Sequence, residues 1–172
     1  MAGLRPARCY RAIERAYTRK SKYKNKAYIK AIPAIKIARY DTGDLKTDFG
    51  TKIDLVSNTD MQIRHNSIES ARQVISRKMD ALNKPYRLKV RVFPHHAIRE
   101  NKMITGAGAD RIQTGMQRSF GRIIGTAAQV KTGAPLFSVF VELIDKPTVL
   151  DAFKSAKSKL PCRCSVVVTT KA

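Results

Sequence analysis

His95 and His96 are the residues best suited by type to acid–base or metal chemistry. Their placement argues against both, because neighbours on a strand point to opposite faces and cannot share one metal or substrate. The residues around them offer only Glu100, Asp110 and scattered hydroxyls, too little for a base, an orienting group and a nucleophile. Packing or contact with RNA accounts for the pair. Cys162 and Cys164 would set two thiols on one face of a strand, yet structural zinc takes four ligands and Cys9 is the only other cysteine. Small buried side chains explain them more simply. Gly106-Ala107-Gly108 could bring backbone N–H groups to a phosphate. It lacks the Gly-Lys-Ser/Thr ending of a nucleotide hydrolase, and no convincing helix follows. One reading is a floppy loop; the other is an Arg/Gln-rich loop that threads between RNA backbones and orders on contact. No catalytic residue, metal site or cofactor is expected.

Charge is the stronger signal. Residues 1–40 carry twelve cations against Glu14, so they supply +11 of a net +21, and five of the six tyrosines lie among them. Such a segment needs a polyanion to neutralise it, and its tyrosines add flat faces for stacking on bases or riboses. Arg5, Arg8, Tyr10, Arg11, Arg15, Tyr17, Arg19, Lys20, Lys22, Tyr23, Lys24 and Lys26 are therefore candidate RNA-binding residues. A second set comes from Tyr86–Phe93, where Tyr86, Leu88, Val90 and Val92 face one way and Arg87, Lys89 and Arg91 the other. Alternate side chains on a strand are about 6.7 Å apart, comparable to the phosphate spacing of an extended nucleotide strand. A solvated outer face is the plain reading; in so basic a chain, phosphate is the better partner.

The elements that must carry these residues can be read in outline. Pro33 ends a basic extension, residues 1–33, and Ala34–Tyr40 reads as a short strand followed by a turn at Asp41-Thr42-Gly43-Asp44. Thr51–Ser57 reads as a buried strand. Asn66 and Glu69 resemble a capping box opening a helix whose Ile68, Ala71, Ile75, Met79 and Leu82 share one face, stopped by Asn83-Lys84-Pro85. Pro94–Arg122 has no stable periodicity, and so long an irregular stretch in a compact domain is functional or disordered. Strands follow at Thr126–Lys131 and Leu136–Ile144, then a helix at Pro147–Lys159 with Val149, Phe153, Ala156 and Leu160 inward, then a strand from Cys162 to Val168. Strand, helix and strand thus occur twice, which predicts an α+β domain over 34–172, two helices on one mixed or antiparallel sheet. Neither the extension nor the long loop has an apolar stripe to anchor it.

At 172 residues the chain is one domain with a basic extension. Its apolar runs fall short of the roughly twenty residues of a membrane span, and the N-terminus shows no secretory h-region. Three cysteines fit a reducing compartment. Lipid binding would call for an apolar helix face within residues 1–40, which the pattern does not show.

The stretch YRLKVRVFPHHAIRENKMITGAGADRIQTGMQRSFGRIIG, Tyr86–Gly125, closely resembles the archaeal and eukaryotic large-subunit ribosomal protein family L-ten-e, homologous to bacterial L-sixteen. The run RPARCYRAIERAYTRKSKYKNKAYI and the helix ending KSKLP resemble it too, so the likeness spans the chain. It implies an α/β-hammerhead core bound to large-subunit rRNA near the cleft where aminoacyl-tRNA enters. It also implies a loop, about 99–118, directed toward the peptidyl-transferase region and tRNA, with Arg99, Lys102, Arg111, Gln113 and Arg118 as polar contacts and Gly106 and Gly108 among its residues. Its partners would be rRNA, tRNA and neighbouring ribosomal proteins, in the large subunit of the cytoplasm, without an obligate homo-oligomer. The chain stops at Ala172 without the C-terminal tail of eukaryotic members, an archaeal-type feature. Two other readings are an RNA-modifying enzyme with a basic arm and a nucleic-acid-compacting protein. The first lacks a cofactor pocket or acid–base pair; the second leaves the glycine-bearing loop unexplained.

Overall fold

In the computed structural model the described residues are 4–13, 21–104, 106–113, 115–117 and 119–170. Strands β1 (Asp41–Gly43), β2 (Thr51–Ser57) and β3 (Met61–Arg64) lead into helix α1 (His65–Asp80). Strands β4 (Arg87–Val90) and β5 (His96–Glu100) follow, then a single turn α2 (Ala109–Ile112). Strands β6 (Arg122–Val130) and β7 (Pro135–Val141), helix α3 (Lys146–Lys157) and strand β8 (Cys164–Thr170) complete the order. One sheet runs β1-β4-β7-β2-β8 and the other β3-β6-β5, with every pairing antiparallel. The fold is α+β, with two sheets where one was expected.

Periodicity explains the core. Ile68, Ala71, Ile75 and Met79 recur at helical spacing on α1, and Val149, Phe153 and Ala156 on α3; all seven are fully buried. The helices pack on each other. They join Ile53 and Leu55 of β2, Leu88 of β4, and Phe137 and Val139 of β7 in one cluster. Ile63, Ala128 and Val130 from the smaller sheet belong to the same cluster, so both sheets share a core. Each of the larger side chains, Val, Leu, Ile, Met or Phe, contributes roughly 1.5–3 kcal/mol on burial.

Several local expectations are overturned. Ala34–Tyr40 is not a strand: the Lys36 N–H donates to His65 Nδ1 at 3.1 Å and the Ala38 N–H to Glu69 Oε2 at 3.3 Å. Side chains of α1 thereby satisfy donors that a ladder would otherwise take. The expected turn at Asp41-Thr42-Gly43 is β1 instead, paired with β4. Gly43 makes that possible at φ +94°, where a Cβ would lie 2.0 Å from the Tyr86 carbonyl oxygen. The capping box does not form. The helix cap lies two residues earlier, at Arg64, without a side-chain cap hydrogen bond, and Glu69 pairs with Arg72. Within Pro94–Arg122 the residues His96–Glu100 form β5, and β6 begins at Arg122 rather than Thr126. Cys162 precedes β8 instead of sharing a strand face with Cys164.

His65 gives the fold a pH dependence. Its acceptor role at Lys36 requires an unprotonated Nδ1, and burial, then the charges of Arg64 and Lys36, hold its pKa below 6.5. The unfolded chain therefore takes up this proton first as pH falls. Stability is fully present above about 6.5 and declines below it, toward the lower folded value. Urea midpoints at pH 7.5 and 5.5 should show a larger drop for the native chain than for His65→Asn. Equal drops would contradict this account.

Candidate nucleic-acid interface

The candidate residues fall into three groups. Residues 4–13 form a strap along the edge of β3, because Gln62 reaches both ways: its N–H donates to the Arg11 carbonyl at 2.8 Å and its Nε2 to the Tyr10 carbonyl at 2.9 Å. Arg5 ties the strap to the end of β5 through Glu100 at 2.9 Å, and Tyr10 lies under the guanidinium of Arg64 at 5.2 Å. Backbone carbonyls and one ion pair thus anchor this part of the extension without an apolar stripe. Arg8 and Arg11 remain exposed, as do Lys22, Tyr23 and Lys26, with the Lys26 ammonium 5.3 Å from the Tyr23 ring. Arg15, Tyr17, Arg19 and Lys20 lie outside the described residues, as does the side chain of Lys24.

Strand β4 has the expected alternation: Leu88 and Val90 are buried, Arg87 and Lys89 half-buried, and Arg91 just beyond is exposed. The outer face is not purely cationic. Arg87 sits over Phe140 at 5.6 Å and reaches Asp41 at 3.4 Å, while Lys52 on β2 pairs with Asp54 at 2.6 Å.

The loop proper runs between β5 and β6. Arg99 is at its root within β5, donating to the Gly121 carbonyl at 3.1 Å and the Tyr28 carbonyl at 3.4 Å, with Phe120 4.4 Å away. Gly121 closes the loop where a Cβ would lie 2.6 Å from the Glu100 backbone. Gln113 braces the interior, accepting from the Ile104 N–H at 2.8 Å and donating to the Lys102 carbonyl at 3.3 Å. Gly108 takes φ +78° just before α2. Lys102, Gly106, Gly108 and Arg111 are exposed, with Met103, Ile104, Ile112, Met116 and Phe120 also open to solvent. Arg118 lies outside the described residues. The sequence therefore groups as contacts residues that here do different work: Arg99 and Gln113 hold the loop, and Lys102 and Arg111 are presented by it.

Of the residues considered for chemistry, the two histidines lie in different surroundings and the two cysteines meet. His96 is buried and His95 exposed, and no group of three or more His, Cys, Asp or Glu that could hold a metal occurs among the described residues. The Cys162 and Cys164 sulfurs lie 3.2 Å apart; the Cys164 S–H lowers the Cys162 thiol to about 7, while that interaction and burial raise Cys164. Arg64 is the residue that sequence reasoning missed, along with the four-residue strand that carries it. The available signal was Met61-Gln62-Ile63-Arg64, an alternation that puts Gln62 and Arg64 on one face.

Fold and site together define a basic protein with surfaces shaped to meet a polyanion. The sequence model described as Ribosomal protein L16p/L10e matches residues 14–167. The chain belongs to this family of large-subunit ribosomal proteins, structural components rather than enzymes. It is 42% identical over 169 residues to the large ribosomal subunit protein uL16 of Methanococcus maripaludis, covering 96% of this chain and 94% of the relative. The uL16 protein of Archaeoglobus fulgidus is 40% identical over 168 residues, with 95% and 92% covered, and that of Methanospirillum hungatei 39% over 173, with 97% and 96%. No helix among the described residues is long and apolar enough to cross a membrane.

Proposed function

We propose that the chain binds large-subunit rRNA near the aminoacyl-tRNA entry cleft, with its β5–β6 loop directed toward the peptidyl-transferase region and tRNA. In this reading residues 1–33 work as an RNA-binding arm and residues 34–172 as the core that aims the loop. The observation that carries it is the construction of the loop: Arg99, Gly121 and Gln113 fix its root and interior, while Lys102 and Arg111 are left exposed. A connection serving only to join two strands has no need of such bracing. The exposed cations of the strap and of Arg91 supply phosphate contacts, each steepening the salt dependence of binding by roughly 0.7–0.9 in log–log slope. The mechanism is electrostatic and geometric, with RNA performing the chemistry.

The test begins with sedimentation of the tagged chain from native lysate through a high-salt gradient. Stoichiometric comigration with the large subunit is expected; a chain left near the top contradicts the reading. Subunits carrying Lys102→Ala together with Arg111→Ala should then assemble normally and lose tRNA crosslinking at the loop, with peptide synthesis slowed. Both positions are exposed and outside the core, so stability should change by no more than about 0.5 kcal/mol. Unchanged crosslinking and synthesis would remove the loop's assigned role.

A further inference from the structure

The structure assigns to the cleft between the N-terminal strap and the root of the loop a binding site for one RNA phosphodiester group, with Arg64 as its buried anchor. The inference rests on the rRNA-binding reading above and deepens it by naming the group bound and the residue that holds it. Arg64 ends β3 and is only 5% exposed. Its Nε is buried without a hydrogen-bond partner, and the ion pairs among the described residues do not include it. The Tyr10 ring lies against it, at 5.2 Å. A buried guanidinium with no anion among the described residues is a costly arrangement unless a counter-charge arrives from elsewhere.

The surroundings identify that counter-charge. Arg64 lines a cavity of about 410 Å³ together with Arg5 and Arg99. That volume lies within the range of about 300–1,000 Å³ typical of small-ligand sites. Glu100 is the carboxylate in the lining, and Arg5 neutralises it at 2.9 Å, which leaves the cavity net cationic. Ile98, Met103 and Met116 supply an apolar wall beside these charges. Cationic forks next to an apolar wall suit a nucleotide, with the phosphate on guanidinium and its apolar parts against the wall. Gly125 gives the guanidinium its room, since a Cβ there would lie 3.3 Å from Arg64 and 3.4 Å from His65 Nε2.

An exchange of stability for binding follows, and it is the test. Arg64→Met keeps most of the side-chain volume and removes the charge. In phosphate-free buffer the purified full chain carrying R64M should melt higher than the native chain. Its affinity for purified large-subunit rRNA should fall about tenfold or more, as loss of a charged hydrogen bond implies. Its log–log salt slope should shrink by about 0.7–0.9, one phosphate contact. Arg111→Met, at an exposed position, serves as the comparison and should not raise the melting temperature. Equal rRNA affinity and slope for R64M and the native chain overturn the phosphodiester site while rRNA binding stands. Failure of the native chain itself to bind this rRNA overturns the parent reading instead. Protection of the native chain by millimolar inorganic phosphate, with R64M still binding rRNA at full strength, would mean a free-anion site and also overturns the proposal. If R64M does not fold, Arg64→Lys gives the same comparison: the salt slope is retained and affinity falls, and unchanged affinity counts against the anchor.

Discussion

Phe137→Ala should lower the unfolding free energy by about 3–5 kcal/mol, the usual cost of emptying a fully buried aromatic position. Phe137 has no solvent exposure and lies on β7, the middle strand of the larger sheet, opposite Leu55 of β2 and Val90 of β4. Its ring belongs to the cluster in which α1, α3 and both sheets meet, so neighbours on several sides would have to collapse to fill the void. Folded domains hold only about 5–15 kcal/mol in total. Thermal unfolding of the variant should therefore come roughly 10 °C earlier. Phe137→Leu, which keeps most of the apolar bulk, should recover much of the loss. A loss under about 1 kcal/mol for alanine would mean that this site is not the packed centre described above.

Glu69→Ala should cost about 3–5 kcal/mol through a different mechanism, the stranding of a buried partner. Glu69 Oε1 accepts from Arg72 at 2.7 Å and from Gln73 at 3.2 Å, and Oε2 accepts from Arg72 at 2.8 Å and from the Ala38 N–H at 3.3 Å. Both charged side chains are 11% exposed, so solvent cannot replace the lost carboxylate. The hydrogen bonds from Arg72 hold its pKa below the usual carboxylate range. Alanine would leave Arg72 unpaired and release residues 35–40 from α1. Hydrogen exchange at Ala38 should accelerate together with the fall in urea midpoint. Glu69→Ala combined with Arg72→Met should be less damaging than Glu69→Ala alone; equal damage would show that the stranded charge is not the cause.

These two sites also mark what the sequence makes legible. The α1 stripe of Ile68, Ala71, Ile75 and Met79 could be read from spacing alone, and β2 has the limits its apolar run suggested. Such features depend on local period. Glu69 was visible as a helix-start residue, but one of its partners, the Ala38 N–H, is 31 residues away, a distance no local rule spans. The same reason hid the extended run at 34–40, whose donors are met by α1 side chains. Strand β5, His-Ala-Ile-Arg-Glu, is too short and mixed in character to show alternation. Among the candidate site residues, Arg8, Arg11 and Arg111 are exposed. Arg99 and Gln113, contacts by resemblance, also brace the loop through backbone groups, while Arg64 becomes conspicuous only when the surroundings of its guanidinium are seen in three dimensions.

The position of β2 has a kinetic consequence. It lies between β7 and β8, pairing with residues 135–141 on one side and 164–170 on the other. During synthesis β2 emerges early and must wait for more than a hundred later residues before its second edge is covered. Pairings so distant along the chain pay their loop-closure entropy before any reward, which makes them slow to form. Until then an apolar strand stands with open backbone groups, the template on which nascent chains aggregate. For this molecule, the hazard is greatest in the interval before its last strand is available, and rapid capture by a partner would shorten it.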